Sequence, residues 1–338
     1  MIKVVVDCFG GDRSPQANVS GAIKALNENN DLYLILTGDQ EILTKELSQY
    51  KYDEKRLEIV HAPDVISCEE KPTDAIKRNK QSSLVVAYDL LKQNDNINAL
   101  VSIGSTGAVL VGSVLKIGRI KGVNRPAFCP ILPTMKNTVV GVCDSGANVD
   151  CDPFQLVQFA IMGSLYMKKM FNIENPRVAL LNIGTESTKG DALRKETYEL
   201  LEKTPSINFV GNMESRDLLT GNYDLVVCDG FSGNVLIKST EGACLELMKL
   251  LKKSFMKGLK NKIGALLLKK EMYRVKDFMD YNNYGGGVML GTKKTIVKGH
   301  GSSKDTAIYH CIQQAYNMEK SKLRESISEE ITKQTSEE

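Results

Sequence analysis

Short apolar runs that end in small polar turns most limit how this 338-residue chain can fold. Eight such runs predict strands, at residues 4–6, 32–36, 57–60, 99–103, 138–142, 178–183, 207–210 and 224–228. A strand that is apolar at every position is buried on both faces, as in a parallel sheet between helices. The sequence therefore predicts a layered α/β fold with a mainly parallel sheet and helices on both faces.

Seven turns rich in Gly, Asp, Asn and Ser punctuate the chain, most of them directly after an apolar run. They are DCFGGD at residues 7–12, SIGSTGA at 102–108, DSGANVD at 144–150, NIGTESTKG at 182–190, DGFSGN at 229–234, NYGGG at 283–287 and GHGSS at 299–303. Glycine lets backbone N–H groups approach an anion, and a following helix N-terminus favours negative charge. Because strand-end turns converge on one crevice, we expect one composite site for a phosphate or an oxyanion.

Helix starts are marked by Pro15, Asp39, Pro153 and Ser232, the last as a possible cap of the long helix after DGFSGN. We expect one α/β domain over residues 1–318, with a possible lobe boundary near Cys151. Residues 319–338 predict a charged C-terminal helix or tail.

The composition excludes several classes of protein. Forty-four basic and 41 acidic residues leave a net charge of +3, which does not favour a nucleic-acid-binding protein. Eight cysteines without a CxxC pair and three histidines predict reduced thiols in the cytoplasm, with neither a metal site nor a disulfide framework. No signal peptide or segment of transmembrane length is evident. The chain lacks the spacing of an NTPase phosphate loop and a GxGxxG fingerprint, so no nucleotide cofactor is predicted.

Lys189 is the most specific charge in these turns, since it adds a cation near the start of a helix. Lysine can bind phosphate as a point charge or polarise a carbonyl, although a solvated surface lysine is the plain alternative. Asp229 can hold a reacting group or simply cap a helix. Asp7 and Asp12 are first interpreted as supports of their turn. Cysteines beside aspartates are interpreted as small buried residues, because a neighbouring carboxylate raises a thiol's pKa.

Residues 249–276 carry ten basic residues and one acid around a run of three leucines. Two amphipathic helices that pack on the core or on a second subunit explain most of this pattern. An exposed helical protrusion over residues 249–281 explains the leucines better, because it could dip into an anionic membrane surface or bind an acidic protein.

These motifs together resemble the bacterial phosphate acyltransferase family, which makes acyl phosphate for phospholipid synthesis from acyl-[acyl carrier protein] and inorganic phosphate. The resemblance extends to about Met318 and rests on GGDxxP at 10–15, STGA at 105–108, GRIKGVNRP at 118–126, GANVD at 146–150, NIGTE with KG at 189–190, DGFSGN, NYGG and HGSS. Phe9 and Ser105 depart from the family's usual Met and Asn.

The resemblance implies a fold similar to phosphotransacetylases and to isocitrate and isopropylmalate dehydrogenases, in a cytoplasmic homodimer at the inner face of the cell membrane. It implies acyl carrier protein and phosphate as substrates, no cofactor, and the membrane acyl-phosphate:glycerol-3-phosphate acyltransferase as a partner. Its catalytic residues would be Lys189, Asp229 and Asn234. Substrate-binding residues would be Asp7, Gly10, Gly11, Asp12, Ser105, Thr106, Gly107, Asn148, Asp150, Thr185, Glu186, His300, Gly301, Ser302 and Ser303. Membrane or partner contacts would be Lys262, Ile263, Leu266, Leu267, Leu268, Lys269 and Lys270. A decarboxylating dehydrogenase and a non-enzymatic membrane scaffold are the alternatives.

Overall fold

The chain forms two β-sheets in a computed structural model that describes residues 1–67, 69–278 and 284–336. The strands are β1 (Ile2–Asp7), β2 (Leu32–Gly38), β3 (Leu57–His61), β4 (Ala99–Ser102), β5 (Ala127–Cys129), β6 (Ile131–Pro133), β7 (Val139–Cys143), β8 (Arg177–Asn182), β9 (Asn208–Glu214), β10 (Leu225–Val227), β11 (Gly287–Leu290) and β12 (Thr295–Lys298). The first sheet has the order β3-β2-β1-β4-β12-β11-β5 and the second β6-β7-β10-β8-β9. Strand β11 is antiparallel to both of its neighbours, β12 and β5, and β6 is antiparallel to β7. All the other strand pairs are parallel.

Helices cover both faces of the first sheet. The helices are α1 (Gln16–Glu28), α2 (Gln40–Leu47), α3 (Pro72–Arg78), α4 (Ser83–Gln93), α5 (Thr106–Gly112), α6 (Pro153–Phe171), α7 (Ala192–Glu202), α8 (Gly230–Phe255), α9 (Leu259–Leu267), α10 (Lys269–Phe278), α11 (Asp305–Lys320) and α12 (Leu323–Ser336). Val4 of β1 packs in one core cluster with Leu26 of α1, whereas Val5 packs in another with Leu91 of α4. Successive strand residues point to opposite faces, so this arrangement explains the continuous apolar runs and confirms the predicted fold class.

Each of the eight predicted strands is present, and the sequence did not indicate β5, β6, β11 and β12. These four are only three or four residues long. Runs of that length show no period, and Pro126, Pro130 and Pro133 interrupt the segment that holds β5 and β6. Their pairing depends on the rest of the sheet rather than on a local signal.

Three of the predicted helix starts agree with the structure. The Asp39 carboxylate accepts a hydrogen bond from the Ile42 N–H at 3.0 Å, and Pro153 begins α6. Pro15 is the residue immediately before α1. The predicted cap Ser232 is wrong: α8 begins at Gly230, and Asp229 caps it by accepting from the Ser232 N–H at 2.8 Å.

The predicted protrusion begins in the last two turns of α8, at Lys249, and continues through α9 and α10. The contact side chains predicted near its tip are all exposed: Lys262, Ile263, Leu266, Leu267, Leu268, Lys269 and Lys270. They therefore do not pack on the core of this chain. Residues 279–281 of the predicted segment lie outside the described residues. None of the helices in the described parts of the chain is long and apolar enough to cross a membrane.

The chain changes from the first sheet to the second between β5 and β6, ahead of Cys151, and returns to the first sheet with β11. The predicted C-terminal helix is α12. It packs against α6 and buries Leu323, Ile327 and Ile331.

Candidate active site

The carboxyl ends of β7, β10 and β8 bring three of the polar turns together. Cys143, Val227 and Leu180 lie in one row across these parallel strands. The turns that follow, 144–150, 229–234 and 183–190, therefore emerge side by side at one edge of the second sheet. Neighbouring strands are about 5 Å apart, so groups on these turns can contact a single small substrate.

The loop after β8 holds Lys189 at a defined place. The side-chain oxygen of Asn182 accepts from the Ile183 N–H at 2.8 Å, and its amide donates to the Lys189 carbonyl at 3.1 Å. Gly190 has a φ of +94°, and a Cβ there would lie 2.6 Å from the Asn182 side-chain oxygen. The buried Asn182 side chain thus joins the two ends of the loop, Ile183 and Lys189. Residue 190 must be glycine, because its φ is positive and a Cβ would collide with Asn182.

Asn212 supports the same loop from the neighbouring strand β9. Its side-chain amide donates to the Glu186 carbonyl at 2.8 Å, while its own side chain is buried. Lys189, Thr185 and Glu186 themselves are exposed. The loop is therefore fixed through its backbone, and its polar side chains are left facing solvent.

Asp229 is paired with an arginine that sequence reasoning missed. Arg194 of α7 forms an ion pair with the Asp229 carboxylate and donates to the Ser232 hydroxyl at 2.9 Å. Ser232 also donates its hydroxyl to Asp229 at 2.8 Å. Asp229 is buried and accepts hydrogen bonds from Arg194 and Ser232, so it holds the start of α8 in place. The sequence shows Asp191 three residues before Arg194, a spacing that predicts an ion pair at the start of α7. It does not show that Arg194 also pairs with Asp229, which follows a different strand.

The loop after β7 packs directly beneath α8. The buried Asp144 carboxylate accepts from the Phe128 N–H at 2.8 Å and from the Asn148 N–H at 2.6 Å. Burial raises the pKa of Asp144 to about 6, against the opposing effect of these donors. A Cβ on Gly233 would lie 2.0 Å from the Asp144 carbonyl oxygen, so only glycine permits this approach.

Two other predicted residues lie close to this contact. Asn148 is half-buried and accepts from the Gly230 N–H at 2.7 Å through its carbonyl, and Asp150 is exposed. Asn234 is also exposed, on the first turn of α8, and its side chain lies 3.8 Å from where a Cβ of Gly146 would be. The structure therefore brings Asn148 and Asn234 to the same contact between the loop and the helix.

The remaining predicted residues lie at the carboxyl edge of the first sheet. Asp7 is buried and accepts from the hydroxyls of Ser83 at 2.6 Å and Ser102 at 2.7 Å. Burial raises its pKa in spite of these donors. The Asp12 N–H donates to the Gly301 carbonyl at 2.9 Å, which joins the first turn to the GHGSS loop. Asp7 thus connects the first turn to Ser83 of α4 and Ser102 of β4.

Around this turn lie the other loop residues. Gly10 and Ser303 are buried, Gly11, Ser105, Gly107 and Gly301 are half-buried, and Asp12, Thr106, His300 and Ser302 are exposed. Although the side chain of His300 is exposed, partial loss of water around its ring lowers its pKa, and the positive charge of Lys238 on α8 lowers it further. The GHGSS loop of the first sheet therefore lies near the helix that starts at the second-sheet turns.

Lys298 is a buried lysine that sequence reasoning missed. It ends β12 beside Ser102 of β4, which in turn lies beside Asp7 of β1. Its ammonium donates to the Gly299 carbonyl. Lys298 directly precedes the GHGSS turn in the sequence, which could have drawn attention to it. Its burial could not be predicted, because β12 itself was not recognised as a strand.

The cysteines fit their predicted interpretation as buried residues rather than nucleophiles. Cys8, Cys143 and Cys228 are buried and Cys151 is partly buried. Burial is the main cause that raises the thiol pKa of all four, and nearby carboxylates raise it further. A thiol held protonated at neutral pH is a poor nucleophile.

Solved structures with this architecture define the fold first. The chain resembles a phosphotransacetylase from Streptococcus pyogenes with a TM-score of 0.60 and 17% identity, covering 94% of each chain. It resembles a branched-chain phosphotransacylase from Enterococcus faecalis with a TM-score of 0.53 and 16% identity, over 94% of this chain and 99% of that one. At such identity the likeness shows the fold, which is that of the phosphotransacetylases.

Sequence similarity identifies the family. The chain belongs to the family described as "Fatty acid synthesis protein", whose model matches residues 2–325. It is 44% identical to a phosphate acyltransferase of Clostridioides difficile, over 98% of this chain and 97% of the relative. It is 43% identical to one of Bacillus cereus over 99% of both. The predicted resemblance is confirmed, and the chain is an acyltransferase.

Proposed function

We propose that the chain transfers a fatty acyl group reversibly from acyl-[acyl carrier protein] to inorganic phosphate, giving acyl phosphate for phospholipid synthesis. The observation that carries this proposal is the exposed Lys189 on a loop that two buried asparagines hold at the sheet edge. A fixed cation there suits this reaction, because phosphate is an anion and negative charge develops on the thioester carbonyl oxygen as phosphate attacks.

The reaction needs orientation more than a proton acceptor. A phosphate oxygen attacks the thioester carbon, a C–O bond forms, and the C–S bond breaks with its electron pair leaving on the carrier's thiolate. Phosphate is already anionic near neutral pH, so the protein's task is to align it and to stabilise the tetrahedral oxyanion. In this proposal Lys189 faces the carbonyl or phosphate oxygens.

The other site residues complete this arrangement. Asn234 contacts the reacting groups, while Asp229, held by Arg194, keeps the start of α8 in place. The Ser105–Gly107 and His300–Ser303 segments supply donors to phosphate.

The proposed partners use the protrusion and its lysines. Leu266, Leu267 and Leu268 are exposed between Lys262 and the Lys269–Lys270 pair, a composition that suits an anionic membrane surface. Contact there would also bring the enzyme near the membrane acyltransferase that consumes acyl phosphate. The lysines suit the acidic acyl carrier protein. Exposed Leu247 and Leu250 on α8 suit a homodimer contact.

A Lys189→Ala variant tests the proposed role of the loop. Loss of one such charge should lower kcat by about a hundred- to a thousandfold, as for removal of an oxyanion donor. The matched control is Lys195→Ala, which removes an exposed lysine on the adjacent α7 and should leave kcat within about twofold. Near-normal turnover of Lys189→Ala would remove the assignment.

A further inference from the structure

Large apolar side chains are exposed around the Lys189 loop. Ile183 is 80% exposed, Phe231 and Val149 are each 62% exposed, and Val235 is 48% exposed. A single exposed apolar residue is ordinary, but a group of them beside one functional charge marks a binding surface. None of the roles proposed so far uses these four side chains.

The four residues, called the apolar rim below, lie at the same end of three neighbouring strands. Ile183 follows β8, Phe231 is the second residue of the helix that follows β10, and Val149 lies in the loop after β7. The Gly230 N–H donates to the Asn148 carbonyl at 2.7 Å, which joins the positions next to Phe231 and Val149. Val235 lies one turn further along α8, on the same side as Phe231. Two strand spacings, about 10 Å, therefore separate the outermost of these strands.

We propose that the apolar rim binds the fatty chain of the substrate while its phosphate end lies at Lys189. This inference rests on the proposed function. An acyl phosphate is an amphiphile, and a cation bordered by exposed Ile, Phe and Val side chains is complementary to both of its ends. Each methylene that leaves water contributes about a fourfold gain in affinity, so even a shallow surface would favour long chains over short ones.

Alkyl phosphates test the inference because they carry the same two ends and cannot react. Butyl phosphate and decyl phosphate, below its micelle concentration, are titrated calorimetrically into the full chain. The wild type should bind decyl phosphate at least about tenfold more tightly than butyl phosphate. Phe231→Ser and, separately, Ile183→Ser should weaken decyl phosphate about tenfold and leave butyl phosphate within about twofold.

Met135→Ser is the matched control, because Met135 is 72% exposed in the turn before β7, at the opposite end of that strand. It should change neither affinity. Both rim variants replace exposed side chains, and an unchanged melting temperature verifies that they fold.

The outcomes separate the inference from the proposed function. If the two rim variants bind butyl phosphate and decyl phosphate with equally reduced affinity, or with unchanged affinity, the inference is wrong but the proposed function stands. A change from dimer to monomer in sedimentation, with the chain-length preference retained, also overturns it and assigns the apolar rim to a subunit contact. A wild type that binds neither alkyl phosphate contradicts the proposed function, and the inference with it.

Discussion

Asn182 and Asn212 show how single buried residues can prepare an exposed charge. Both side chains are buried, and both hold the backbone of the loop that carries Lys189. Sequence reasoning found Lys189, because a lysine in a glycine-bounded turn before a helix is a local signal. It could not find Asn212, because that side chain reaches the loop only through the pairing of β8 with β9.

Asn212→Leu is predicted to lower kcat by about ten- to a hundredfold, because loss of the hydrogen bond to the Glu186 carbonyl lets Lys189 move from its place. Stability should change little, since the Asn212 side-chain oxygen has no hydrogen-bond partner among the described residues and leucine has the same number of side-chain heavy atoms with the same branching. Steady-state kinetics and thermal unfolding measure the two effects. Asn208→Leu, at a half-buried asparagine earlier in the same strand, is the control.

The double variant with Lys189→Ala distinguishes positioning from a general structural defect. If Asn212 acts through Lys189, Asn212→Leu should have no further effect on kcat once the lysine is absent. Additive losses would show that Asn212 supports the enzyme in another way.

Asp144 should make stability depend on pH in an unusual direction for a carboxylate. Its pKa rises from 3.8 to about 6 on folding, so the folded chain binds more protons between these values. The stabilisation is complete below pH 3.8 and is lost as pH rises through 6, by about 3 kcal/mol at most. The wild type should therefore lose stability relative to Asp144→Asn between pH 4.5 and pH 7, as measured by urea unfolding. An equal pH dependence in both chains would contradict this prediction.

Among the elements, every long strand was predictable, whereas only β4 and β10 were predicted among the strands of three or four residues. Strands β1, β2 and β8 contain six or seven residues and are apolar over most of their length, whereas β11 and β12 contain four each. The start of α8 shows a second limit. Asp229 and Ser232 are both good caps by type, and only the strand end at Val227 decides between them.

The protrusion gives a prediction at the same scale. Leu267→Glu should abolish binding to anionic vesicles and leave turnover with soluble substrates within about twofold, because this leucine is 81% exposed and lies on α9 rather than on a turn at a sheet edge. Vesicle co-sedimentation and the soluble assay measure the two effects. Met135→Glu, which also places an acid at an exposed apolar site, should still bind. Collapse of both activity and dimerisation in Leu267→Glu would instead show that the leucine belongs to a subunit contact.

At the scale of the whole molecule, the net charge of +3 conceals a strongly uneven distribution. Ten basic residues and one acid lie between residues 249 and 276. If the acidic carrier protein docks there, its KM should rise steeply between 50 and 200 mM salt at saturating phosphate, since salt screens exposed charges. A KM that does not depend on salt would count against this docking surface.

The central claim is that phosphate itself attacks the thioester, and product stoichiometry tests it most directly. Purified protein is mixed with acyl-[acyl carrier protein], with and without inorganic phosphate, and free thiol and acyl phosphate are quantified together. We predict that thiol release requires phosphate and that one acyl phosphate forms for each thiol. Thiol release without phosphate, or release without acyl phosphate, would contradict the account.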